Sequence, residues 1–508
     1  MKLNYKRTIF VGFAFFLISA FWIAYDAIIP LILMNHFGLD QVSSGAVMTM
    51  DNIFAVFLLP IFGALSDKVN TKLGKRTPFI IIGTILAVVF FVGLIFADNS
   101  QLSTVKNTEV NIEGASSSSI EEIYDDYYQE REDLYKDLSE ALKEKDNEKA
   151  TSLREKIDDV DNKIDALNHE TFKITKANMA PLIIFIVLLM FVLLSMAIFR
   201  SPAVALMPDV TVKPLRSKGN AVINLMGTAG GIIILGLGLI LGTGSKNPYM
   251  NYTFYIIAVA AVMVIGLIIF LCTVKETKWA KEMELASLGL EDEKTEENNE
   301  EKRKLSKKEL FSLIMILASV ALWYIGYNSI TTKYSFYATR ELGFNYNLPM
   351  MIAQAAAVVS YIPIGMISSK IGRKKTILAG IIMLATAFFC GHFITPIVPE
   401  FLMYLIFVLA GIGWATINVN SFPMVVELAK GSDVGKYTGY YYTASMAAQI
   451  VAPLLSAVFY DKIGMRETFF PFAVVFVLFS FITMLFVKHG DAKPEKQDAL
   501  ESLAGAED

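Results

Sequence analysis

The chain has 508 residues, of which 54% are hydrophobic, and its mean hydropathy is +0.49. Soluble globular domains have a lower apolar content, so this composition excludes a water-soluble class. The formal net charge of −4 and the two cysteines, Cys272 and Cys390, indicate neither nucleic-acid binding nor a disulfide framework.

Long apolar runs recur along the chain and predict transmembrane helices. We predict an all-α membrane protein with twelve spans in two six-helix repeats. The first span has no small-residue cleavage site, so we expect it to be retained. The predicted spans cover residues 8–34, 42–66, 77–97, 178–207, 216–242, 252–274, 309–332, 347–369, 375–396, 401–428, 437–459 and 467–487.

Short loops rich in Lys and Arg alternate with loops such as 35–41 and 397–400, which carry neither. The loop after the second span contains Lys68, Lys72, Lys75 and Arg76, whereas residues 35–41 contain no basic residue. Because positive charge marks the cytoplasmic side, we predict a multi-pass protein of the cell membrane with both termini in the cytoplasm.

Residues 98–176 join the third and fourth spans and are predicted to be an extracellular insertion. Residues 121–170 contain 18 acidic and 8 basic residues, a net charge of −10, so the rest of the chain carries +6. Two apolar stripes predict a helical hairpin that turns near Asp146 and Asn147. The stripes are Leu153, Ile157, Val160, Ile164 and Leu167, and Tyr124, Tyr128, Tyr135, Leu138 and Leu142. Two interpretations stay open: a solvated hairpin without a ligand, or one that binds an unidentified partner.

A second charged stretch divides the spans into six and six. It contains "EDEKTEENNEEKRK" and is predicted to be a cytoplasmic linker over residues 276–307. The predicted domains are therefore an N-terminal bundle (1–275) and a C-terminal bundle (308–488), followed by an acidic cytoplasmic tail (489–508).

The two bundles repeat each other in sequence. "FWIAYDAII" (21–29) matches "WYIGYNSIT" (323–331) at an offset of 302, and Ser201 matches Ser421 at an offset of 220. Between these matches the offset changes by about the length of the insertion, which therefore belongs to one half only. Parallel repeats related by an axis along the membrane normal are typical of transporters, with the substrate site between the halves.

The stretch "GALSDKVNTKLGKRTPFI" (63–80) resembles the loop between helices two and three of the major facilitator superfamily. Its ending and "FRSPAVALMPD" (199–209) are similar to the glycoside–pentoside–hexuronide:cation symporter group, most closely to sucrose/proton symporters. The resemblance implies the major facilitator fold and secondary transport. Melibiose-type members carry two acids a turn apart in helix two. This chain has Leu59 at the nearer position and Asp51 further out, which argues against a sodium site of that type.

The loop motif also has a physical role. Gly63 permits close helix approach and Gly74 a tight turn, while Asp67 lies near basic residues of the next span. Such charges can latch a cytoplasmic gate, or the cations can simply mark the topology. The predicted gate residues are Gly63, Asp67, Gly74, Lys75, Arg76 and Asp209.

Two acids lie within the apolar spans at roughly equal depth, about 12–14 Å from the outer end at 1.5 Å per residue. An intramembrane carboxylate is costly, so we predict that Asp26 and Asp51 form a proton-coupling site, with structural hydrogen bonding as the alternative. Arg200 is either a counter-charge or substrate contact, or a structural partner of Asp209. Asn328 is the uncharged repeat partner of Asp26, so ionic chemistry is confined to the N-terminal half.

Aromatic and amide side chains suit a hydroxyl-rich, uncharged ligand, although some aromatic residues can be interfacial anchors or packing residues. Apart from the two proton-coupling acids, the predicted substrate-binding residues are Trp22, Tyr25, Asn52, Arg200, Asn224, Trp323, Tyr324, Tyr327, Asn328, Gln354, Trp414, Asn418, Asn420 and Gln449.

These residues predict a secondary active transporter, not an enzyme, that imports a small sugar or glycoside with protons by alternating access. The alternatives are a proton-coupled exporter of an amphipathic metabolite or drug, and a non-transporting sensor that uses the insertion. We expect no cofactor, H⁺ as coupling ion with Na⁺ as the alternative, and a monomer in the lipid bilayer. The expected partner is a small molecule and not a nucleic acid. Measuring the uptake of a panel of sugars would identify it.

Overall fold

The computed structural model describes residues 3–110, 118–144, 146–211, 216–244, 247–291, 306–426, 428 and 434–489. The predicted tail beyond residue 489 and the middle of the predicted linker lie outside the described residues. Among the described residues, regular structure is helical apart from a small antiparallel sheet of Glu109–Val110 (β1) and Ser118–Ser119 (β2).

The N-terminal half begins with a helix interrupted at Gly12 and ended by a π-helical turn, Ile32–His36. A helical hairpin is inserted between its third and fourth long helices. The helices are Tyr5–Val11 (α1), Phe13–Leu31 (α2), Gln41–Lys68 (α3), Thr77–Asn107 (α4), Ile120–Glu144 (α5), Asn147–Ala177 (α6), Ala180–Val210 (α7), Arg216–Leu241 (α8) and Thr253–Thr273 (α9).

A linker helix, Glu276–Glu291 (α10), precedes the C-terminal half. The first helix of this half also ends near a π-helical turn, Tyr337–Leu342, which mirrors the arrangement in the N-terminal half. The helices are Lys307–Thr331 (α11), Tyr334–Phe336 (α12), Asn347–Ile371 (α13), Arg373–His392 (α14), Phe401–Val426 (α15), Val434–Ile463 (α16) and Met465–Leu485 (α17).

The predicted all-α membrane fold with twelve long helices is confirmed. Among the described residues, eleven helical segments are long and apolar enough to cross a membrane, and α13 is the twelfth helix of the two repeats. The bounds agree with the predicted spans to within a few residues, except that α4 continues past residue 97 to Asn107. Two polar residues of this extension are buried and paired: Asp98 bonds His36 Nδ1 at 2.6 Å, and Gln101 donates to the His36 carbonyl at 2.9 Å.

Six glycines with positive φ, among the described residues, lie in corresponding loops of the two halves. This backbone region is accessible to glycine without the steric cost that a Cβ imposes. The repeat-related pairs are Gly38 and Gly343, Gly74 and Gly372, and Gly242 and Gly464. The two halves therefore place positive-φ glycines in corresponding loops.

The predicted hairpin is formed by α5 and α6, with the Asp146 side chain capping α6 by accepting a hydrogen bond from Lys149 N at 3.0 Å. The residues of the two apolar stripes are buried between the helices, with one exception. Leu142 is 43% exposed, so its predicted place in the stripe is wrong. Ala141, one residue earlier, occupies the inward position of that last turn.

The hairpin defines the two ends of the helix bundle. We call the end where α5 and α6 lie the hairpin end, and the opposite end, where α1 begins and α17 finishes, the terminus end. Small residues let helices of each half approach closely: Gly83 of α4 lies against the Ser195 carbonyl of α7. In the repeat-related pair, Gly380 of α14 lies against the Gly413 carbonyl of α15.

Candidate functional site

A cavity of about 330 Å³ lies between the two halves. Helices α2, α3 and α7 contribute to its wall from the N-terminal half, and α11 and α16 from the C-terminal half. It brings together part of the predicted site, with two further hydroxyl groups and four apolar residues. The predicted residues are Trp22, Asp26, Asp51, Asn52, Arg200, Asn328 and Gln449; the others are Ser19, Thr332, Ile18, Ile23, Met48 and Pro453.

The charged groups of this cavity all come from the N-terminal half. Asp51 accepts a hydrogen bond from Asn52 Nδ2 at 2.7 Å, and the Arg200 guanidinium lies 5.6 Å from the centroid of the Trp22 ring. The charge of Arg200 attracts Asp51, and the charge of Asp51 repels Asp26. The part of the chain that the structure describes offers no hydrogen bond to the Asp26 carboxylate or the Arg200 guanidinium. Both groups therefore have free hydrogen-bonding capacity at the cavity wall.

The backbone at Asp26 is shaped by a proline. Pro30 lies inside α2 and has no N–H to donate to the Asp26 carbonyl, four residues earlier. Ser335 of the other half donates its hydroxyl to that carbonyl at 3.4 Å. The residue at the centre of the predicted coupling site is thus tied to the opposite half through its main chain.

The last turn of α11 supplies the polar wall opposite the acids. Asn328 Nδ2 donates to the Tyr324 carbonyl at 2.8 Å, and Thr332 Oγ1 donates to the Asn328 carbonyl at 2.7 Å. These bonds fix both side chains on the helix. Asn328 Oδ1 accepts no hydrogen bond among the described residues and can accept one from a ligand.

Of the aromatic residues predicted on α11 and α15, Tyr324, Tyr327 and Trp414 contact each other, and none lines the cavity. Tyr327 stacks on Trp414 with centroids 3.7 Å apart and planes 8° from parallel, and Tyr324 meets the same ring edge-on at 5.2 Å. The faces predicted to hold a ligand are therefore occupied by one another in this conformation.

The remaining predicted residues are packed between helices. Asn420 Nδ2 donates to the Thr416 carbonyl of its own helix at 2.9 Å, and Gln354 lies against Gly231, where α13 meets α8. Four others are buried, each with a polar atom that has no partner among the described residues: Tyr25 Oη, Asn224 Nδ2, Trp323 Nε1 and Asn418 Oδ1. Spacing along a helix does not distinguish a face toward a cavity from a face toward another helix. The sequence pattern therefore assigns these packed residues to the same site as the residues that line the cavity.

At the terminus end, Arg76 joins three helices of the N-terminal half. Its Nε donates to Asp209 at 2.7 Å, its Nη2 to Asp67 at 2.5 Å, and its Nη1 to Ser66 and to the Gly63 carbonyl. Burial alone would lower the pKa of Arg76, but the hydrogen bonds and charges of Asp209 and Asp67 raise it above its ordinary value. The predicted gate residues are brought together here, within one half and not across the two.

This network also decides between the alternatives for Arg200. Asp209 bonds Arg76, whereas Arg200 lies over Trp22 and interacts with Asp51. The alternative that paired Arg200 with Asp209 is therefore wrong. Asp209 lies near the end of α7, within reach of the loop that precedes α4, whereas Arg200 is further inside that helix.

Sequence reasoning missed Glu276, whose buried carboxylate caps α4 from the linker helix. It accepts from Lys75 N at 2.6 Å, Arg76 N at 2.9 Å, and Thr77 N and Oγ1 at 2.8 and 2.6 Å. A negative charge at this position satisfies the free N–H groups at the start of the helix. The turn at Gly74 leaves no room for a Cβ beside it, and Lys75 keeps its side chain exposed.

With this geometry in place, we compared the chain with known families. A family model described as Major Facilitator Superfamily matches residues 174–429 and 346–505. The chain belongs to the Major Facilitator Superfamily. A model described as MFS/sugar transport protein matches residues 10–106 of this transporter.

The transporter is also similar to individual proteins. It is 27% identical over 123 residues to the MFS-type transporter ppzB of Metarhizium rileyi (strain RCEF 4871), which is 24% of this chain and 25% of that protein. The match thus spans about a quarter of that relative.

Solved structures resemble the transporter over almost their whole length. The inward open conformation of the xylose transporter XylE from E. coli has a TM-score of 0.61 at 12% identity, covering 97% of this chain and 98% of that chain. A D-xylose-proton symporter has a TM-score of 0.58 at 13% identity, covering 96% and 99%. The peptide transporter POT in complex with sulfate has a TM-score of 0.57 at 11% identity, covering 94% of each. At these identities the likeness shows the fold.

The halves of the transporter are joined at the hairpin end. Lys333 of the C-terminal half is buried, with Nζ 3.1 Å from Ser44 Oγ and 3.4 Å from the Gln41 carbonyl. Asp461, at the end of α16, accepts from Gln41 N and Val42 N at 3.1 Å each. A carboxylate of one half thus caps a helix of the other half. Sequence reasoning missed both residues.

Helices α8 and α13 add a second contact between the halves at the hairpin end. Tyr346 Oη donates to Thr243 Oγ1 at 2.7 Å, and Asn347 Nδ2 lies 3.0 Å from the same oxygen. These contacts tie the halves together at the hairpin end.

Proposed function

We propose that this transporter is a proton-coupled symporter of a small sugar or glycoside that works by alternating access. We place it in the glycoside–pentoside–hexuronide:cation symporter group, near the sucrose/proton symporters. The observation that carries the proposal is the cavity between the halves. The N-terminal half lines it with Asp26, Asp51 and Arg200, and the C-terminal half with Asn328 and Gln449.

The chemistry of the cavity supports a hydroxyl-rich substrate. Carboxylates and the Arg200 guanidinium on one side and amide groups on the other can bond several hydroxyls, while Trp22 offers an apolar ring. About 330 Å³ is at the small end of the range for ligand pockets. The sugar-transport family match over residues 10–106 and the fold likeness to a xylose transporter agree with this class.

The two acids support coupling to protons. Carboxylates that repel each other in a site of low dielectric are more stable when they share a proton. Arg200 attracts the negative charge of Asp51, so we expect the proton on Asp26. A proton bound there neutralises the last free charge of the cavity and allows the substrate-loaded site to change its access.

The orientation follows from the distribution of basic residues. Lys68, Lys72, Lys75 and Arg76 lie at the terminus end, which we therefore assign to the cytoplasm. The hairpin end is then extracellular. Because the contacts between the halves described above lie at that end, we infer that the substrate site is reached from the cytoplasm in this conformation.

Uptake into proteoliposomes tests the proposal. With an inward proton gradient we expect one or more compounds of a sugar panel to accumulate, with alkalinisation of the external medium. Accumulation that needs Na⁺ and does not depend on the proton gradient would show that the coupling ion is Na⁺ and not H⁺. Outward movement of an amphipathic compound without sugar uptake would show that the protein is an exporter of such compounds and not a sugar importer.

A further inference from the structure

The hairpin is rooted firmly in the N-terminal half. The end of α4 lies beside the end of α6: Thr175 of α6 accepts from Gln101 Nε2 of α4 at 2.8 Å and donates to the Phe37 carbonyl at 2.9 Å. Tyr124 of α5 meets Tyr249, in the loop before α9, edge-on at 6.0 Å. Covalent connection, a hydrogen-bonded root and ring packing make the hairpin part of this half.

The hairpin reaches the C-terminal half through arginine side chains. Arg340, which follows α12 in the C-terminal half and is only 6% exposed, donates to the Asn168 side chain at 2.8 Å and to the Ile164 carbonyl at 2.9 Å. It also bonds Asp165 at 3.1 Å. In return Arg131 of α5 donates to the Arg340 carbonyl at 2.9 Å.

A second contact lies at the start of α17. Arg466 donates to Tyr135 Oη at 2.8 Å and lies 3.6 Å from Asp161. Asp161 in turn accepts a hydrogen bond from Arg131 at 3.1 Å. The two contacts are therefore joined through the hairpin into one polar network, which we call the arginine clasp.

The geometry points to a clasp function: the hairpin holds the two halves together at the hairpin end and must leave the C-terminal half before that end opens. This inference rests on the alternating access of the proposed function. The root in the N-terminal half is covalent, whereas the described polar bonds to the C-terminal half come from a few side chains. Separation of the halves therefore breaks the arginine clasp and leaves the root of the hairpin in the N-terminal half intact.

The surroundings of the clasp favour reversible release. A cavity of about 710 Å³ lies between hairpin and bundle, lined by Asp161, Asp165, Arg466 and Asp461 among others. Water in such a space can take over the hydrogen bonds when the side chains part, so each broken bond costs much less than it would in a dry core. Asp461 also caps α3 across the halves, so one opening movement breaks both sets of contacts.

Distances between spin labels test the clasp without substrate or transport. In a variant lacking Cys272 and Cys390, labels at Glu155 on the hairpin and Lys462 in the C-terminal half report on the clasp. Labels at Glu155 and Asn251 report on the root. All three label positions are exposed.

Arg340→Gln should increase the population with a long Glu155–Lys462 distance about tenfold, because it removes charge-assisted hydrogen bonds. Tyr135→Phe, which removes only the hydroxyl that accepts from Arg466, should give a smaller increase in the same direction. The Glu155–Asn251 distance should stay the same in both. Arg154→Gln, at an exposed arginine of the same hairpin, is the matched control and should change neither.

An unchanged Glu155–Lys462 distribution in both variants would overturn the clasp. So would a lengthened Glu155–Asn251 distance, since the hairpin would then travel with the C-terminal half. Transport of a different substrate, or coupling to a different ion, would contradict the proposed function but leave these distances as expected.

Discussion

The two halves share their helices but face the central cavity with different chemistry. The N-terminal half presents Asp26, Asp51 and Arg200, whereas the C-terminal half presents Asn328, Thr332 and Gln449. At the repeat position of Asp26 stands Asn328, an uncharged side chain of nearly the same shape. The comparison teaches that one duplicated scaffold can place the charged groups of a site in one half and only neutral groups in the other. The predictions below test that separation.

The largest effect is expected for Asp26→Asn, which makes the N-terminal half like its repeat partner. The variant cannot bind the coupling proton at this position, so accumulation should fall to the value set by the substrate gradient alone. Exchange of substrate down its gradient should persist. Uptake and counterflow in proteoliposomes, with external pH recorded, measure both. If Asp26→Asn and Asp51→Asn each concentrate substrate like the parent, the charged half does not couple.

Arg200→Gln should have the next largest effect. It removes the charged guanidinium donors that we propose bond the substrate hydroxyls, so substrate binding should weaken about tenfold to a hundredfold, about 1.4–2.8 kcal/mol. Equilibrium binding measures this loss. The control is Asn420→Ala at the repeat position, a residue bonded within its own helix. Equal losses in both variants would remove the distinction between the halves.

Gln449→Ala tests the neutral half. The loss of one hydrogen bond to substrate, about 1 kcal/mol, should weaken binding about fivefold and leave the number of protons per substrate unchanged. Gln354→Ala is the matched control, since Gln354 lies between helices and does not line the cavity. A change in proton stoichiometry for Gln449→Ala would show that coupling is not confined to the charged half.

The smallest effect is expected away from the cavity, for Glu276→Gln. It removes the negative charge that caps α4, which should lower stability by about 1 kcal/mol and leave coupling intact. The midpoint of thermal unfolding in detergent measures it, with Glu284→Gln at an exposed position of the same helix as control. A coupling defect in Glu276→Gln would mean that the cap acts on the transport cycle.

The sequence was sufficient for the membrane helices, because hydropathy over a long window is a strong signal. It also located Asp26, Asp51 and Arg200, because a charge within an apolar run is conspicuous. It did not resolve which aromatic residues face the cavity. Tyr327 and Trp414 stack on each other, and that choice depends on how α11 and α15 are rotated.

Contacts between distant segments were also beyond the sequence. The partners of Arg340 include the Ile164 carbonyl, and backbone groups leave no mark in a sequence. Glu276 stands before a long charged stretch and looks like any solvated acid there. One signal was available: Lys333 and Arg340 are cations at the hairpin end, where residues 35–41 and 397–400 contain no Lys or Arg. Both turned out to join the halves.

Pro30 makes a hydrogen bond of Asp26 depend on contact between the two halves. Because it frees the Asp26 carbonyl, the bond from Ser335 forms only while the halves meet at that point. The residue that we expect to hold the proton therefore has one main-chain partner in this conformation and must find another when the halves separate. If the proton is held more tightly in one arrangement, it favours that arrangement by the same free energy, since such linkage is reciprocal. Protonation of Asp26 and the side from which the site is accessible would then belong to a single coupled equilibrium.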